Sequence, residues 1–153
     1  MRKFLIAITL LFVAVINTMA QEHLSFKGIP IEGSMTEFCQ KLKTKGFTQL
    51  GRDDNVTTFT GDFTGRVGVG ATDDGKSVHS VVVIFDESSE WNTLVNTYDY
   101  YKGLYIRKYG EPSACREHNP SRQDSNISLM YELGQGTVTY ASAWNVTGGT
   151  IEL

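Results

Sequence analysis

Residues 70–77, GATDDGKS, match the GxxxxGK[ST] pattern of a phosphate-binding loop. In such a loop a helix begins at the lysine, and its free backbone N–H groups point at the phosphates of a nucleotide. Here the lysine is followed by SVHSVVVIF, a run of β-branched residues that is typical of a strand. Asp73 and Asp74 would also place two negative charges against the nucleotide. The sequence therefore predicts a hairpin turn at this position and no nucleotide binding.

A second group of residues that could take part in catalysis includes Cys115 and His118, which lie three positions apart. A cysteine nucleophile needs a histidine base that is itself oriented by a third group, and a hydrolase of this kind would have its site around Asp86, Cys115 and His118. No recognised catalytic signature surrounds Cys115, and a zinc site would need two further ligands from distant segments. A small hydrolase using these three residues is thus the alternative function, and no metal or cofactor is predicted.

The chain contains two cysteines, Cys39 and Cys115. Cys39 falls on the apolar side of a predicted helix, whereas Cys115 falls in a predicted loop. An exported chain meets an oxidising compartment, so a disulfide between the two is chemically allowed. The separation of their Cα atoms decides between a disulfide and two free thiols, and the sequence leaves both open.

A contact surface is predicted from aromatic residues and glycines. Tyr100 points away from the apolar stripe of its predicted helix, and Trp144 ends a predicted strand. Gly68 and Gly70 would leave part of a sheet face flat. Exposed aromatic side chains suit contacts with protein or glycan, so these four residues are the candidate contact surface.

Two helices are expected to position these residues. Ser34 and Glu37 form a capping box that predicts a helix to about Lys45, with one apolar stripe made of Met35, Phe38, Cys39 and Leu42. A longer helix is predicted within residues 89–110, where apolar residues recur at helical spacing and Gly110 ends the run. Its apolar stripe consists of Trp91, Leu94, Val95, Tyr98, Tyr101 and Tyr105.

Strands are predicted from alternating and β-branched runs, with residues 77–85 as a central strand because their end is apolar on both faces. Residues 51–55 are predicted to be a turn and residues 112–125 a polar loop. The remaining predicted strands are 24–26, 56–62, 66–72, 126–133, 137–144 and 150–153.

These elements suggest two similar halves, residues 24–85 and 86–153, each a helix followed by three strands. The predicted fold is α+β, a single antiparallel sheet with both helices packed on one face. The last strand of the second half is much shorter than its counterpart, so the chain is expected to end before the full fold does.

The first twenty residues predict export. Arg2 and Lys3 precede an apolar run over residues 4–16, and small residues end at Ala20. This is the pattern of a signal peptide cleaved between Ala20 and Gln21, which gives a periplasmic or extracellular chain. The apolar run is shorter than the roughly 20 residues of a spanning helix, which argues against a membrane anchor. No second apolar stretch of that length follows, so no membrane span is predicted in residues 21–153.

Residues 21–153 carry 12 lysines and arginines against 17 aspartates and glutamates, a net charge of −5. An acidic chain without a basic cluster is a poor partner for nucleic acid. A single packed domain is expected from its length and aromatic content.

The segments HLSFKGIPIEGSMTEFCQKLKTKGF and LYIRKYGEP resemble those of a group of small exported proteins of Bacteroides-type gut bacteria. The resemblance implies a shared fold and no particular chemistry, and it implies a further strand beyond the last residue of this chain. The architecture also resembles, more loosely, tandem helix-plus-sheet folds of the β-lactamase-inhibitor type. We therefore expect a non-enzymatic binding or interaction module with a protein or glycan partner.

Overall fold

The computed structural model describes residues 23–61, 65–118 and 126–153, and the predicted signal peptide lies outside them. The described residues combine three helices with antiparallel strands, which confirms the predicted α+β class. In chain order the elements are β1 (Ser25–Phe26), β2 (Ile29–Pro30), α1 (Met35–Thr44), β3 (Thr48–Asp53), β4 (Val56–Thr60), β5 (Arg66–Ala71), β6 (Val78–Ile84), α2 (Trp91–Tyr109), β7 (Ala114–His118), α3 (Asn126–Gly134), β8 (Thr139–Val146) and β9 (Gly149–Glu152).

The helix α1 begins where the sequence predicts. The hydroxyl of Ser34 accepts a hydrogen bond from the Glu37 N–H (3.3 Å), and the Glu37 carboxylate accepts one from the Ser34 N–H (3.5 Å). This capping box satisfies two N–H groups that no helical carbonyl can reach. Gly46, with a φ of 89°, follows the helix in the left-handed conformation that favours glycine. The predicted apolar stripe is buried over its whole length.

The four strands β3 to β6 form one antiparallel sheet in the order β3-β4-β5-β6. On one face Phe59 lies opposite Val67, and Val67 lies opposite Val83. Phe59 and Val67 are fully buried and share a core with the apolar stripe of α1, including Leu42. Burial of one sheet face under an amphipathic helix is the main source of stability in this half of the molecule.

Two predictions about this sheet are wrong. Residues 77–85 were expected to form a central strand, but β6 is an outer strand. Its apolar residues on the second face, Val82 and Ile84, are 54% and 50% exposed instead of buried. Residues 51–55 were expected to be a turn, but their first three residues belong to β3, and the reversal falls between Asp53 and Val56. The polar side chains of β3 suit a strand at an exposed edge.

The second half of the described chain packs α2 and α3 together with a three-stranded sheet of order β7-β8-β9. The helix α2 lies within the predicted range and ends before Gly110, whose φ is 83°. Trp91, Leu129 and Val138 form its buried cluster. This core is separate from the core under α1.

Residues 126–133, predicted to be a strand, form most of α3 instead. Alternate positions of this segment hold Ile127, Leu129, Tyr131 and Leu133, a spacing that also fits a strand. In the structure Ile127 and Tyr131 are 82% and 69% exposed, whereas Leu129 is buried beside Met130 and Leu133. Because leucine, methionine and glutamate favour helices, burial at helical spacing prevails over the alternation.

The predicted loop 112–125 is also wrong in part, because β7 occupies residues 114–118. β7 pairs with β8 one residue for one, from Ala114 opposite Ala143 to His118 opposite Thr139. Residues 119–125 lie outside the described residues.

The predicted single sheet is not observed, because the described strands form separate sheets of two, four and three strands. The proposed repeat of two halves is not confirmed. The first half places four strands after α1, whereas the second inserts α3 between β7 and β8.

Candidate functional site

Residues 70–77 form the end of β5 and the turn that leads into β6 at Val78, so the predicted hairpin turn is confirmed. Three successive N–H groups are satisfied inside the turn: that of Gly75 by the Thr72 carbonyl (2.7 Å), that of Lys76 by the Asp74 carboxylate (3.0 Å) and that of Ser77 by the Thr72 hydroxyl (3.2 Å). Hydrogen bonding to Thr72 lowers the pKa of Asp74. These N–H groups are therefore committed to the turn, and a nucleotide phosphate would find no helix N-terminus here.

The residues of the alternative hydrolase are not brought together. Asp86 follows β6 and lines a groove against α2, whereas Cys115 lies on β7 and lines a different concave surface with Ser142. His118 ends β7, and its side chain lies outside the described residues. A catalytic set needs its groups within hydrogen-bond reach of one another, and Asp86 and Cys115 do not share a site.

Of the four predicted contact residues, only Tyr100 is exposed, at 59%. Trp144 is 1% exposed, and its indole N–H donates to the carbonyl of Gly110 at 2.9 Å, so it fastens β8 to the end of α2. The prediction that Trp144 is a contact residue is wrong. Exposure was predicted because Trp144 lies beside a glycine-rich turn. The ring can nevertheless be buried, because its one polar group, the indole N–H, has a backbone hydrogen-bond acceptor within the protein.

Gly68 and Gly70 are buried and do not form a flat exposed patch. A Cβ added to Gly70 would lie 2.5 Å from the Ser80 hydroxyl oxygen, and one added to Gly68 would lie 3.6 Å from a Val56 methyl. Neighbouring side chains therefore fold over both glycines. The exposed part of this sheet face is formed by Val56, Val82 and Ile84.

The two cysteines are free thiols with different surroundings. Cys39 is buried in α1, where its sulfur lies 3.5 Å from that of Met35, and burial raises the pKa of its thiol. Cys115 is exposed on β7. The disulfide that the sequence left open is absent.

A polar network that sequence reasoning missed joins α2 to β7 and β8. The Lys102 ammonium donates to the Glu117 carboxylate at 2.5 Å and to the Cys115 sulfur at 3.5 Å. The Ser142 hydroxyl also donates to that sulfur (3.5 Å) and shares a 2.6 Å hydrogen bond with the Tyr98 hydroxyl. These contacts join residues 13 to 44 positions apart, so local sequence patterns do not predict them. The one related signal in the sequence is that Cys115 and Glu117 are two positions apart and would lie on the same face of a strand.

The charges of this network are fixed. The hydrogen bond from Lys102 lowers the pKa of Glu117, and the same bond raises the pKa of Lys102. Burial raises the pKa of Tyr98. A carboxylate and an ammonium that both stay ionised near neutral pH act as an ion pair and not as an acid–base couple. The network therefore fastens α2 to the sheet.

An apolar concavity lies between the outer strands β6 and β9, beneath the aromatic side of α2. We call it the apolar groove, and its volume is about 330 Å³. Val82, Val83 and Phe85 come from the β6 side, Tyr101 and Tyr105 from α2, and Leu153 from the β9 side. Phe26 and the oppositely charged Lys27 and Glu152 complete the lining.

A second groove of about 660 Å³ adjoins the first, and we call it the polar groove. It shares Phe85 and Tyr101 with the apolar groove, so the two grooves are neighbours at the β6–α2 junction, and we refer to both together as the cleft. The remaining residues of the polar groove are Asp86, Glu87, Ser88, Thr93, Asn96, Thr97 and Tyr100.

Among residues 23–61, 65–118 and 126–153, no helix has the length and apolar composition needed to cross a membrane. The same residues contain no group of three or more His, Cys, Asp and Glu side chains that could hold a metal ion. Comparisons of the chain with the models of known protein families, with curated proteins and with solved structures find no match.

Proposed function

We propose that this protein is a non-enzymatic binding module that takes up an extended segment of another polypeptide alongside β6. The observation that carries the proposal is the apolar groove, which runs along an outer strand whose far side has no strand partner in the described part of the chain. Peptide binding by strand addition uses such an edge for main-chain hydrogen bonds and adjacent pockets for side chains.

The groove lies at the edge of β6 and not on one of its faces. Successive side chains of a strand point to opposite faces, and both Val82 and Val83 line the groove. A groove that is lined by residues from both faces must lie at the edge of the strand. An extended segment seated there would lie within reach of the backbone of β6.

The backbone at this edge is available for pairing. Residues 78–84 pair with β5 on one side. On the other side, the one further backbone hydrogen bond among the described residues runs from the Val78 N–H to the Gly33 carbonyl at 2.8 Å. From His79 to Ile84 the outward N–H and carbonyl groups can accept a strand.

The side chains favour a peptide over a glycan. A glycan site needs polar groups that converge on sugar hydroxyls, whereas the apolar groove is lined mainly by valine, leucine, phenylalanine and tyrosine. Alternate apolar side chains of an extended peptide would fill such a lining while the others face water.

The proposal is tested with peptides selected on the protein from a random display library and then measured individually. Val82→Lys puts a charge on the edge and should lower their affinity at least about tenfold. Val56→Lys is the matched control, because Val56 lies on the same sheet face, is 45% exposed against 54% for Val82, and is absent from the groove.

Equal losses in both variants, or none in Val82→Lys, would contradict binding at this edge. Thermal unfolding of both variants checks that the fold is kept. Sedimentation of the protein alone identifies a competing occupant: a dimer that Val82→Lys dissociates would assign the edge to a second copy of the chain.

We include export in the proposal, on the strength of the signal-peptide pattern in the first twenty residues. Expression of the full chain in a bacterium should yield periplasmic or extracellular protein that begins at Gln21, as read by amino-terminal sequencing. Cytoplasmic protein that retains Met1 would contradict it.

A further inference from the structure

The described lining of the polar groove contains negatively charged side chains and no positively charged ones. Asp86 and Glu87 line it, and none of its lining residues is Lys, Arg or His. Neither carboxylate makes a hydrogen bond or an ion pair with another described residue. Elsewhere the carboxylates of Asp74 and Glu117 have lysine partners. Over the whole cleft, three carboxylate side chains face one lysine, Lys27.

Aromatic rings stand beside these carboxylates. Tyr101 contacts Phe85 at a ring-centroid distance of 4.8 Å and meets Tyr100 edge-on at 5.2 Å. Tyr100 itself is 59% exposed within the groove. Ring faces attract Lys and Arg side chains through their quadrupole, and nearby carboxylates add a direct charge attraction.

We propose that the segment bound at β6 carries a lysine or arginine side chain, which the polar groove receives between Asp86, Glu87 and Tyr100. This inference rests on the proposed function and specifies its partner: an extended apolar peptide with a basic residue at one end. The charge of the polar groove complements that residue, and both grooves are lined by Phe85 and Tyr101, so one extended segment could reach from one groove to the other.

The order of the two parts follows from the direction of β6. The strand runs toward Phe85 and Asp86, so the polar groove lies beyond its carboxyl end. Antiparallel addition, the arrangement of every strand pair described here, runs the partner the other way. The basic residue should therefore precede the apolar stretch.

The test repeats the peptide selection on the double variant Asp86→Asn/Glu87→Gln, which keeps the side-chain shapes and removes both charges. Asp53→Asn/Asp54→Asn is the matched control, because it removes the same charge at the β3–β4 turn, outside both grooves. Each selected peptide is compared with its Lys→Gln or Arg→Gln counterpart.

On the wild-type protein, selected peptides should be enriched in Lys or Arg before the apolar stretch. They should bind about fivefold tighter than their Gln counterparts. The preference should weaken as salt is added. It should vanish in Asp86→Asn/Glu87→Gln and persist in Asp53→Asn/Asp54→Asn, while the Gln peptides bind all three proteins alike.

Apolar peptides without basic enrichment would overturn this inference and leave the proposed function intact. Loss of the preference in Asp53→Asn/Asp54→Asn would also overturn it, since net charge and not the groove would then be responsible. Failure to select any peptide that competes at β6 would overturn both proposals.

Discussion

β3 and β6 are the two outer strands of the same four-stranded sheet, and each has one row of backbone groups that pairs with no other described strand. β3 contains a bulge at Leu50, followed by Gly51, Arg52 and Asp53, and all of its residues are exposed. β6 has its one bulge near its start, at His79, and is regular from Ser80 to Ile84. It contains no proline and no Lys, Arg, Asp or Glu, and it ends in VVVI. Bulges and charges are the devices that keep sheet edges from pairing with other chains.

The difference between the two strands supports the proposal that a partner binds at the edge of β6. An unprotected apolar edge is an aggregation hazard unless a partner covers it. The other outer strands agree with this interpretation. β7 carries Arg116 and Glu117 beside Lys102 of α2, and β9 carries Glu152. Among the described strands, the edge of β6 is the one that combines length, apolar side chains and a groove.

The largest effect on the free energy of unfolding is expected where α1 packs against the sheet, away from both outer strands. Leu42→Ala should lower the free energy of unfolding by about 2–5 kcal/mol, because Leu42 is fully buried between α1 and the sheet. Leu50→Ala, at the β3 bulge, should change it by less than about 0.5 kcal/mol, because Leu50 is 56% exposed. Urea unfolding of both variants measures the contrast. A similar loss for the two leucines would show that the β3 edge packs against something.

A smaller effect on the free energy of unfolding is expected from substitutions in β5, the strand that pairs with β6. Gly70→Ala should cost about 1–2 kcal/mol, because the new methyl group meets Ser80 and His79 of β6 at 2.5 Å and 3.3 Å. Gly68→Ala should stay within about 0.5 kcal/mol, because its nearest neighbour is 3.6 Å away. Thermal unfolding of the pair tests whether β6 is held in this register. Equal effects would argue against it.

The smallest effect on the free energy of unfolding is expected at β7, from the ion pair between Lys102 and Glu117, and it depends on pH. The pKa of Glu117 is lowered in the folded state from its ordinary 4.5, so its stabilising effect is present above that value and is lost as the pH falls below it. Glu117→Gln should therefore be less stable than the wild type at pH 7. Because Lys102 and Glu117 are 20% and 38% exposed, solvent screening limits the difference to about 1 kcal/mol or less.

Unfolding free energies of the wild type and Glu117→Gln between pH 7 and pH 3 check this prediction. The two curves should converge in acid. A constant offset across the range would mean that the glutamate acts through packing and not through its charge.

The sequence predicts the features that depend on local patterns. The capping box at Ser34, the range of α2 and the turn before β6 all follow from residues within a few positions of one another. Such signals predict local structure well because the hydrogen bonds that produce them are themselves local.

The features that depend on long-range pairing were missed. The sequence of an apolar strand does not show whether the strand lies at the centre of a sheet or at its edge. The predicted central position of β6 is wrong for this reason. The alternation in residues 126–133 fits a strand until the partners of Leu129 are known. The candidate site could not be found from the sequence for the same reason, because it joins β6, α2 and the region of Leu153.

The most direct test of the account is amide hydrogen exchange of the two outer strands, with and without a selected peptide. The account predicts that the peptide slows exchange in residues 79–84 of β6 and leaves residues 48–53 of β3 unchanged, because only the first edge gains hydrogen bonds. Unchanged exchange in β6 in the presence of bound peptide, or equal protection of both strands, would contradict strand addition at β6.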